Sequence, residues 1–264
     1  MGTEKMLSLQ DVTMSYGGEN VLNGIDLDVY RGQIIGYIGP NGAGKSTTLK
    51  IMLGLVEEYQ GTVEIFGQDI ASGDDTYKKK IGYVPENADI YDNLTASEYI
   101  LFVGELYGME REWAEEKARK LMQQFGLEDV LHTRIASFSK GMRQKVLIIS
   151  SLLHDPDLLF LDEPLNGLDA NSVMMMKDIL DTLAANGKTI FYSSHIMDVV
   201  EKISNRIVLL IDGKIAADGT FEELQEQSKE GSLEGIFNQL TGYDTHQQSA
   251  QDIVHIVQDR DMYE

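Results

Sequence analysis

Apolar and polar residues alternate through the early part of the chain. Val12 and Met14, then Ile25, Leu27 and Val29, stand between polar or glycine neighbours, the period-two pattern of half-buried antiparallel strands. Asn23-Gly24 and Arg31-Gly32 interrupt these runs where turns belong. The pattern then changes. From Gln33 to Ile38 the residues are mostly apolar on successive positions, as in a strand of a parallel sheet covered by helices on both faces. A glycine-rich turn follows, and apolar spacing from Thr47 to Leu55 predicts a helix.

Thr62 to Phe66 and Ile81 to Val84 read as short strands around a polar loop. From Thr95 to about Leu153 the character is helical. Thr95 and Glu98 make a capping box, and Trp113 to Phe125 carries charge on one side with Leu121, Met122 and Phe125 on the other. Strand patterns return at Leu158 to Leu161 and Thr189 to Tyr192, separated by a helix over Val173 to Leu183. Ile207 to Ile211 and Lys214 to Ala217 follow around Asp212-Gly213. Strands alternating with helices imply an α/β core with right-handed crossovers, into which the helical stretch is inserted. Beyond Glu222 the chain is acidic and helical. Past Gly242 it is glutamine-rich, with Ile253, Val254, Ile256 and Val257 spaced for a short amphipathic helix.

Composition narrows the function classes. The 264 residues are 42% hydrophobic, as a globular protein requires. Lysine and arginine number 22 against 43 acidic residues, a net charge of −21, which repels phosphate backbones and argues against nucleic acid as a partner. Cysteine is absent, which removes disulfides, thiolate metal sites and cysteine nucleophiles and fits a reducing compartment. The longest apolar run, Val146 to Leu153, is about eight residues and contains serines, against the ~20 that a spanning helix needs. Met1 to Ser8 lacks the pattern of a secretory signal. The expectation is a soluble intracellular chain that reaches a membrane only through a partner.

Gly39-Pro40-Asn41-Gly42-Ala43-Gly44-Lys45-Ser46 fits the phosphate-loop pattern G-x-x-x-x-G-K-S/T between a buried strand and a helix. Successive backbone N–H groups, here with Thr47 included, must converge on an anion, and glycine provides the dihedrals and the open approach. The helix start adds its positive end. Lys45 brings a full charge to the β- and γ-phosphates, and the Ser46 hydroxyl suits Mg²⁺.

A phosphate loop needs a carboxylate for its metal, and Leu158-Leu159-Phe160-Leu161-Asp162-Glu163-Pro164 supplies two at a strand end. Asp162 is placed to hold Mg²⁺ through its water shell, and Glu163 to polarise an attacking water. His195 follows the next core strand at the same sheet edge, within reach of a γ-phosphate.

With these motifs in hand, the chain resembles the ATPase subunits of ABC transporters over about residues 4–225. The further mark is Phe138-Ser139-Lys140-Gly141-Met142-Arg143-Gln144, which resembles that family's signature motif. The resemblance implies a P-loop NTPase with a RecA-like core sheet, an N-terminal antiparallel β-subdomain and a helical subdomain inserted at about 87–155. Residues 226–264 would form a C-terminal helical appendage. It implies a head-to-tail dimer, with a second copy or a paralogous ATPase, in which each ATP lies between one P-loop and the other chain's signature segment. Ser139, Gly141 and Gln144 would serve that contact. Tyr16 resembles the aromatic that stacks on adenine. Asn166-Gly167-Leu168-Asp169 resembles the loop in which Asp169 steadies the dimer. One position departs from the pattern: Tyr83-Val84-Pro85 is followed by Glu86, where the family has glutamine. Glu86 would stand beside the metal and the attacking water, adding a negative charge where glutamine adds none. Pro85-Glu86 with Ser139-Lys140-Gly141-Met142 resembles bacterial exporter-type systems whose transmembrane permease is a separate chain. That places this chain on the inner face of the cell membrane. A soluble ABC-type ATPase without a transport role, and a partner that binds ATP without hydrolysing it, remain alternatives.

Overall fold

A computed structural model describes residues 3–87, 90–228 and 230–242, with 254, 256 and 257 of the tail. Its strands are β1 (Lys5–Tyr16), β2 (Glu19–Tyr30), β3 (Ile34–Ile38), β4 (Gln60–Ile65), β5 (Gln68–Asp69), β6 (Ile81–Val84), β7 (Leu158–Asp162), β8 (Thr189–Ser193), β9 (Arg206–Ile211) and β10 (Lys214–Gly219). Its helices are α1 (Lys45–Met52), α2 (Ala96–Leu106), α3 (Arg111–Gln124), α4 (Lys140–Leu152), α5 (Ala170–Ala185), α6 (Met197–Ile203), α7 (Phe221–Ser228) and α8 (Leu233–Thr241).

The strands form two sheets. The antiparallel one has the order β2-β1-β4-β5, and the larger one β10-β9-β3-β8-β7-β6. In the larger sheet β9, β3, β8, β7 and β6 run parallel, and β10 returns as a hairpin on β9. Strands β3, β7 and β8 are buried along their whole length, which explains their continuous apolar sequence. Their side chains still alternate between faces. Ile35, Tyr37, Phe160 and Phe191 pack against Leu7, Ile25 and Val63 of the antiparallel sheet. Ile34, Ile38, Leu159, Leu161, Ile190 and Tyr192 pack against the helices. The fold is a P-loop NTPase in which an antiparallel sheet covers one face of a largely parallel sheet.

Helices α2, α3 and α4 lie between β6 and β7 in the chain. The expected capping box is present: the Glu98 N–H donates to Thr95 Oγ1 at 3.2 Å, and the Thr95 N–H donates to Glu98 Oε2 at 2.8 Å. Several boundaries differ from expectation. The helix expected over Thr47 to Leu55 is α1, which starts at Lys45 and stops at Met52. Gly44 and Gly54, both at positive φ, bracket it, and Leu55 is left exposed. Phe66, expected at a strand end, is instead a turn residue at φ 54° with Gly67 behind it, and the turn leads into the short strand β5. The helix expected over Val173 to Leu183 is the longer α5, capped by Asp169.

Helices α7 and α8 account for the helical character beyond Glu222. Leu224, Leu233 and Ile236 are buried in the same core as Val200 and Ile203, and the Leu233 N–H donates to Glu201 Oε2 at 3.1 Å. Val254, Ile256 and Val257 are helical and exposed, and Ile253 lies outside the described residues.

Candidate functional site

The parallel register decides which side chains meet. β3 lies beside β8, and β8 beside β7, with Asp162 opposite Ser193. The loops leaving β3, β7 and β8 therefore emerge at one edge, the usual position of ligand sites in such sheets. They enclose a cavity of about 330 Å³ lined by Tyr16, Val21, Asn41, Gly42, Gly44, Lys45, Ser46, Thr47, Glu86, Asp162, Glu163 and His195.

The loop between β3 and α1 is shaped by two glycines. Gly42 has φ 80° and Gly44 has φ 106°. A Cβ on Gly44 would come within 2.6 Å of Leu22 Cδ2 and 2.9 Å of the Val21 carbonyl, so neither dihedral nor space admits a larger residue. Behind the loop, the Thr48 hydroxyl donates to the Gly44 carbonyl at 3.0 Å and lies 3.1 Å from the Tyr37 hydroxyl. The Lys45 ammonium donates to the Gly39 carbonyl at 2.7 Å and to that of Pro40 at 3.2 Å. Burial pulls its pKa down, while Glu163, Asp162 and Glu86 act in the opposite sense. A cation folded back on its own loop, beside amides at a helix start, suits a polyphosphate.

Asp162 closes β7 and is buried, accepting a short hydrogen bond from the Ser193 hydroxyl. Burial raises its pKa. Ser193 opposes that, Glu86 and Glu163 reinforce it, and Lys45 opposes it. Among the described residues no group of three acidic, histidine or cysteine side chains stands ready to hold a metal alone. Ser46 and Asp162 are hard oxygen donors in the same cavity, a set that fits Mg²⁺, which keeps its waters and takes its remaining ligands from phosphate.

Glu163 is only 8% exposed and takes the left-handed φ of 47°. Its N–H donates to the Ser193 carbonyl at 3.1 Å, and Ser194 Oγ donates to its Oε2 at 3.3 Å. His195 Nδ1 lies 2.7 Å from its Oε1, while the imidazole is largely exposed. The arrangement presents a carboxylate held on one oxygen by a hydroxyl and on the other by an imidazole at the mouth of the cavity. Such a pair can receive a proton from a water and steady an anion beside it.

Not every expected residue joins this cavity. Ala43 is buried behind the loop, its N–H given to the Pro40 carbonyl at 3.1 Å. Ser139, Gly141 and Asp169 lie off the cavity wall. Ser139 caps α4 by accepting from the Met142 N–H at 3.2 Å. Asp169 caps α5 through Ser172, whose hydrogen bonds hold its carboxyl below the usual range. The two caps belong to one surface, because a Cβ on Gly141 would stand 2.6 Å from the Gly167 carbonyl. Gln144, expected among the ligand contacts, is turned inward: it is 1% exposed and its amide donates to the Pro164 carbonyl at 2.9 Å. Lys140, one turn earlier on α4, is exposed, so the helix spacing alone does not bury Gln144; the loop through Pro164 covers it.

Sequence reasoning missed Val21, Ser193 and Ser194. Val21 reaches the cavity from β2, far from any motif. The two serines needed the β7–β8 register, which no local pattern states.

The ABC transporter family model matches residues 22–166. The linearmycin resistance ATP-binding protein LnrL of Bacillus subtilis is 35% identical over 219 residues, 83% of this chain and 70% of that protein. Among solved structures, an ATP-binding subunit of an ABC transporter superposes with a TM-score of 0.84 at 34% identity, covering 89% of this chain and 99% of the other. An ATP-binding cassette solved as a dimer in a post-hydrolysis state with ADP and Pi superposes with a TM-score of 0.75 at 26% identity, covering 81% of this chain and 98% of the other.

Proposed function

The chain belongs to the ABC transporter family of ATP-binding ATPase subunits, and from that premise we propose that it closes head to tail, with a second copy or a paralogous ATPase, around two ATP molecules to drive export through a separate transmembrane permease. In this reading the triphosphate lies along the amides of residues 41–47. Lys45 turns from the Gly39 and Pro40 carbonyls toward it. Ser46 and Asp162 would hold Mg²⁺, which would offset phosphate charge. Tyr16, 49% exposed at the end of β1, offers its ring to the adenine. Glu163 takes the proton of the attacking water, His195 orients that carboxylate and faces the γ-phosphate, and Glu86, in the same cavity, would stand beside the ion and the water.

One observation carries the dimer: the cavity holds the phosphate loop, the carboxylates and His195, whereas Ser139, Gly141 and Asp169 share a separate surface. Brought against another chain's cavity, the positive end of α4 would meet the phosphates there. The permease reading is supported by an exposed aromatic and aliphatic patch, Tyr91, Phe102 and Leu106, with the Tyr91 and Phe102 rings edge to face at 6.0 Å. Among the described residues no helix is long and apolar enough to cross a membrane, so the subunit would sit on the inner face of the membrane through that partner. The name of the linearmycin resistance relative supports export.

The test has two arms. Purified chain should hydrolyse ATP with Mg²⁺ and elute as a dimer when hydrolysis is blocked. Affinity-tagged chain should co-purify from solubilised membranes with a polytopic protein. ATP hydrolysis without membrane association would leave an ATPase of another role, and no hydrolysis in any assembly would overturn the reading.

A further inference from the structure

Glu86 follows β6, which pairs with β7 so that Val84 stands opposite Leu161. The chain therefore leaves the sheet at the edge where Asp162 ends β7 and Glu163 follows it. Glu86 lines the same cavity as those two carboxylates and Lys45. Among the described residues it forms no ion pair of its own. Its field reaches Lys45, Asp162 and the Tyr83 phenol, which burial first, and then Asp162 and Glu86, push up to about 12. The cavity thus sets three carboxylates against one ammonium. A bare triphosphate entering it meets the loop amides, Lys45 and the His195 imidazole, but also a surplus of carboxylates over ammonium groups, in a partly desolvated place where Coulomb energies are large. A divalent cation cancels part of the ligand's charge and attracts the carboxylates that would otherwise repel it.

We propose that Glu86 makes nucleotide binding conditional on a divalent cation, so that the cavity selects the metal complex of ATP over the free nucleotide. Glutamine at this position would be neutral and could donate to a phosphate oxygen, which relaxes the discrimination. This inference rests on the nucleotide reading of the cavity and adds the property that sets this chain apart from the usual family pattern.

The experiment measures ATP affinity by calorimetry, with excess EDTA and with Mg²⁺, for the full chain, Glu86→Gln and Glu86→Asp. The unchanged chain should prefer the Mg²⁺ complex strongly. Glu86→Gln should narrow the ratio of the two affinities by about tenfold, through tighter binding of free ATP, the size of effect expected from one unit charge in a partly buried site. Glu86→Asp, which keeps the charge, should retain most of the preference. Equal ratios in the unchanged chain and Glu86→Gln would overturn the inference while leaving the nucleotide reading intact. Absence of ATP binding to the unchanged chain in both conditions would overturn both.

Discussion

Nδ1 of His195 lies 2.7 Å from Oε1 of Glu163, joining the residue that follows β7 to one two places beyond the end of β8. The contact exists because β7 and β8 are parallel and in register, Asp162 beside Ser193. Its consequence is that the carboxylate is aimed before any ligand arrives. Glu163→Gln keeps shape and bonding capacity but cannot accept a proton. We expect turnover to fall by about 10²–10⁴-fold with ATP binding retained. ATPase assay and size exclusion with ATP would check this, the second by showing a trapped dimer. Hydrolysis at the parental rate would remove Glu163 from the role of base.

Gly44→Ala tests the phosphate loop. The position combines φ 106° with contacts to Leu22 and Val21 that leave no room for a methyl group. The strained backbone should cost about 1–3 kcal/mol and twist the amides away from a shared target. A lower melting temperature together with loss of ATP affinity is the expected pair of results. Unchanged affinity would mean that the loop geometry is not what binds phosphate.

Gly141→Ala addresses the other surface. Its Cβ would press on the Gly167 carbonyl at 2.6 Å and displace the loop that leads to Asp169. Single-chain ATP binding should suffer less than the ATP-dependent dimer, because no residue of the phosphate loop is changed. Calorimetry and light scattering separate the two effects. A dimer of undiminished strength would place the interface elsewhere.

His154 and Tyr107 tie the helical insertion to the core. Their rings stack at 3.6 Å, the Tyr107 hydroxyl donates to the Ile81 carbonyl at 3.1 Å, and His154 Nε2 reaches the same oxygen at 2.9 Å. Because a carbonyl only accepts, Nε2 carries the proton, and Nδ1 is a buried atom without a partner among the described residues. Burial chiefly lowers the pKa of His154 below its ordinary 6.5. The unfolded chain then binds a proton more readily than the folded one. The stability contribution is full above about pH 6.5 and is lost as pH falls toward the folded value. His154→Phe keeps the stack and removes the titration, so its melting temperature should decline less steeply over that range. Parallel pH profiles would contradict this account.

Much of the arrangement was legible in the residues. Gly39 to Ser46 between an apolar strand and a helix, Asp162-Glu163 at the end of another, and the Thr95–Glu98 cap are local patterns with local causes. The departures come from longer range. The limits of α1 depend on glycine dihedrals rather than on apolar spacing. Ser193 and Ser194 acquire their partners only through strand register. Gln144 faces inward because α4 presents that side to Pro164, which a linear motif cannot show.

The start of α4 is fastened from two directions. Gly141 stands against the carbonyl of Gly167, and three residues on Gln144 grips that of Pro164, next to Glu163. No flexible spacer separates the reaction centre from this outward-looking helix end. A shift in the backbone where chemistry occurs must therefore tilt the surface offered to a neighbour, so the molecule's chemical and mechanical ends behave as one lever with a very short arm.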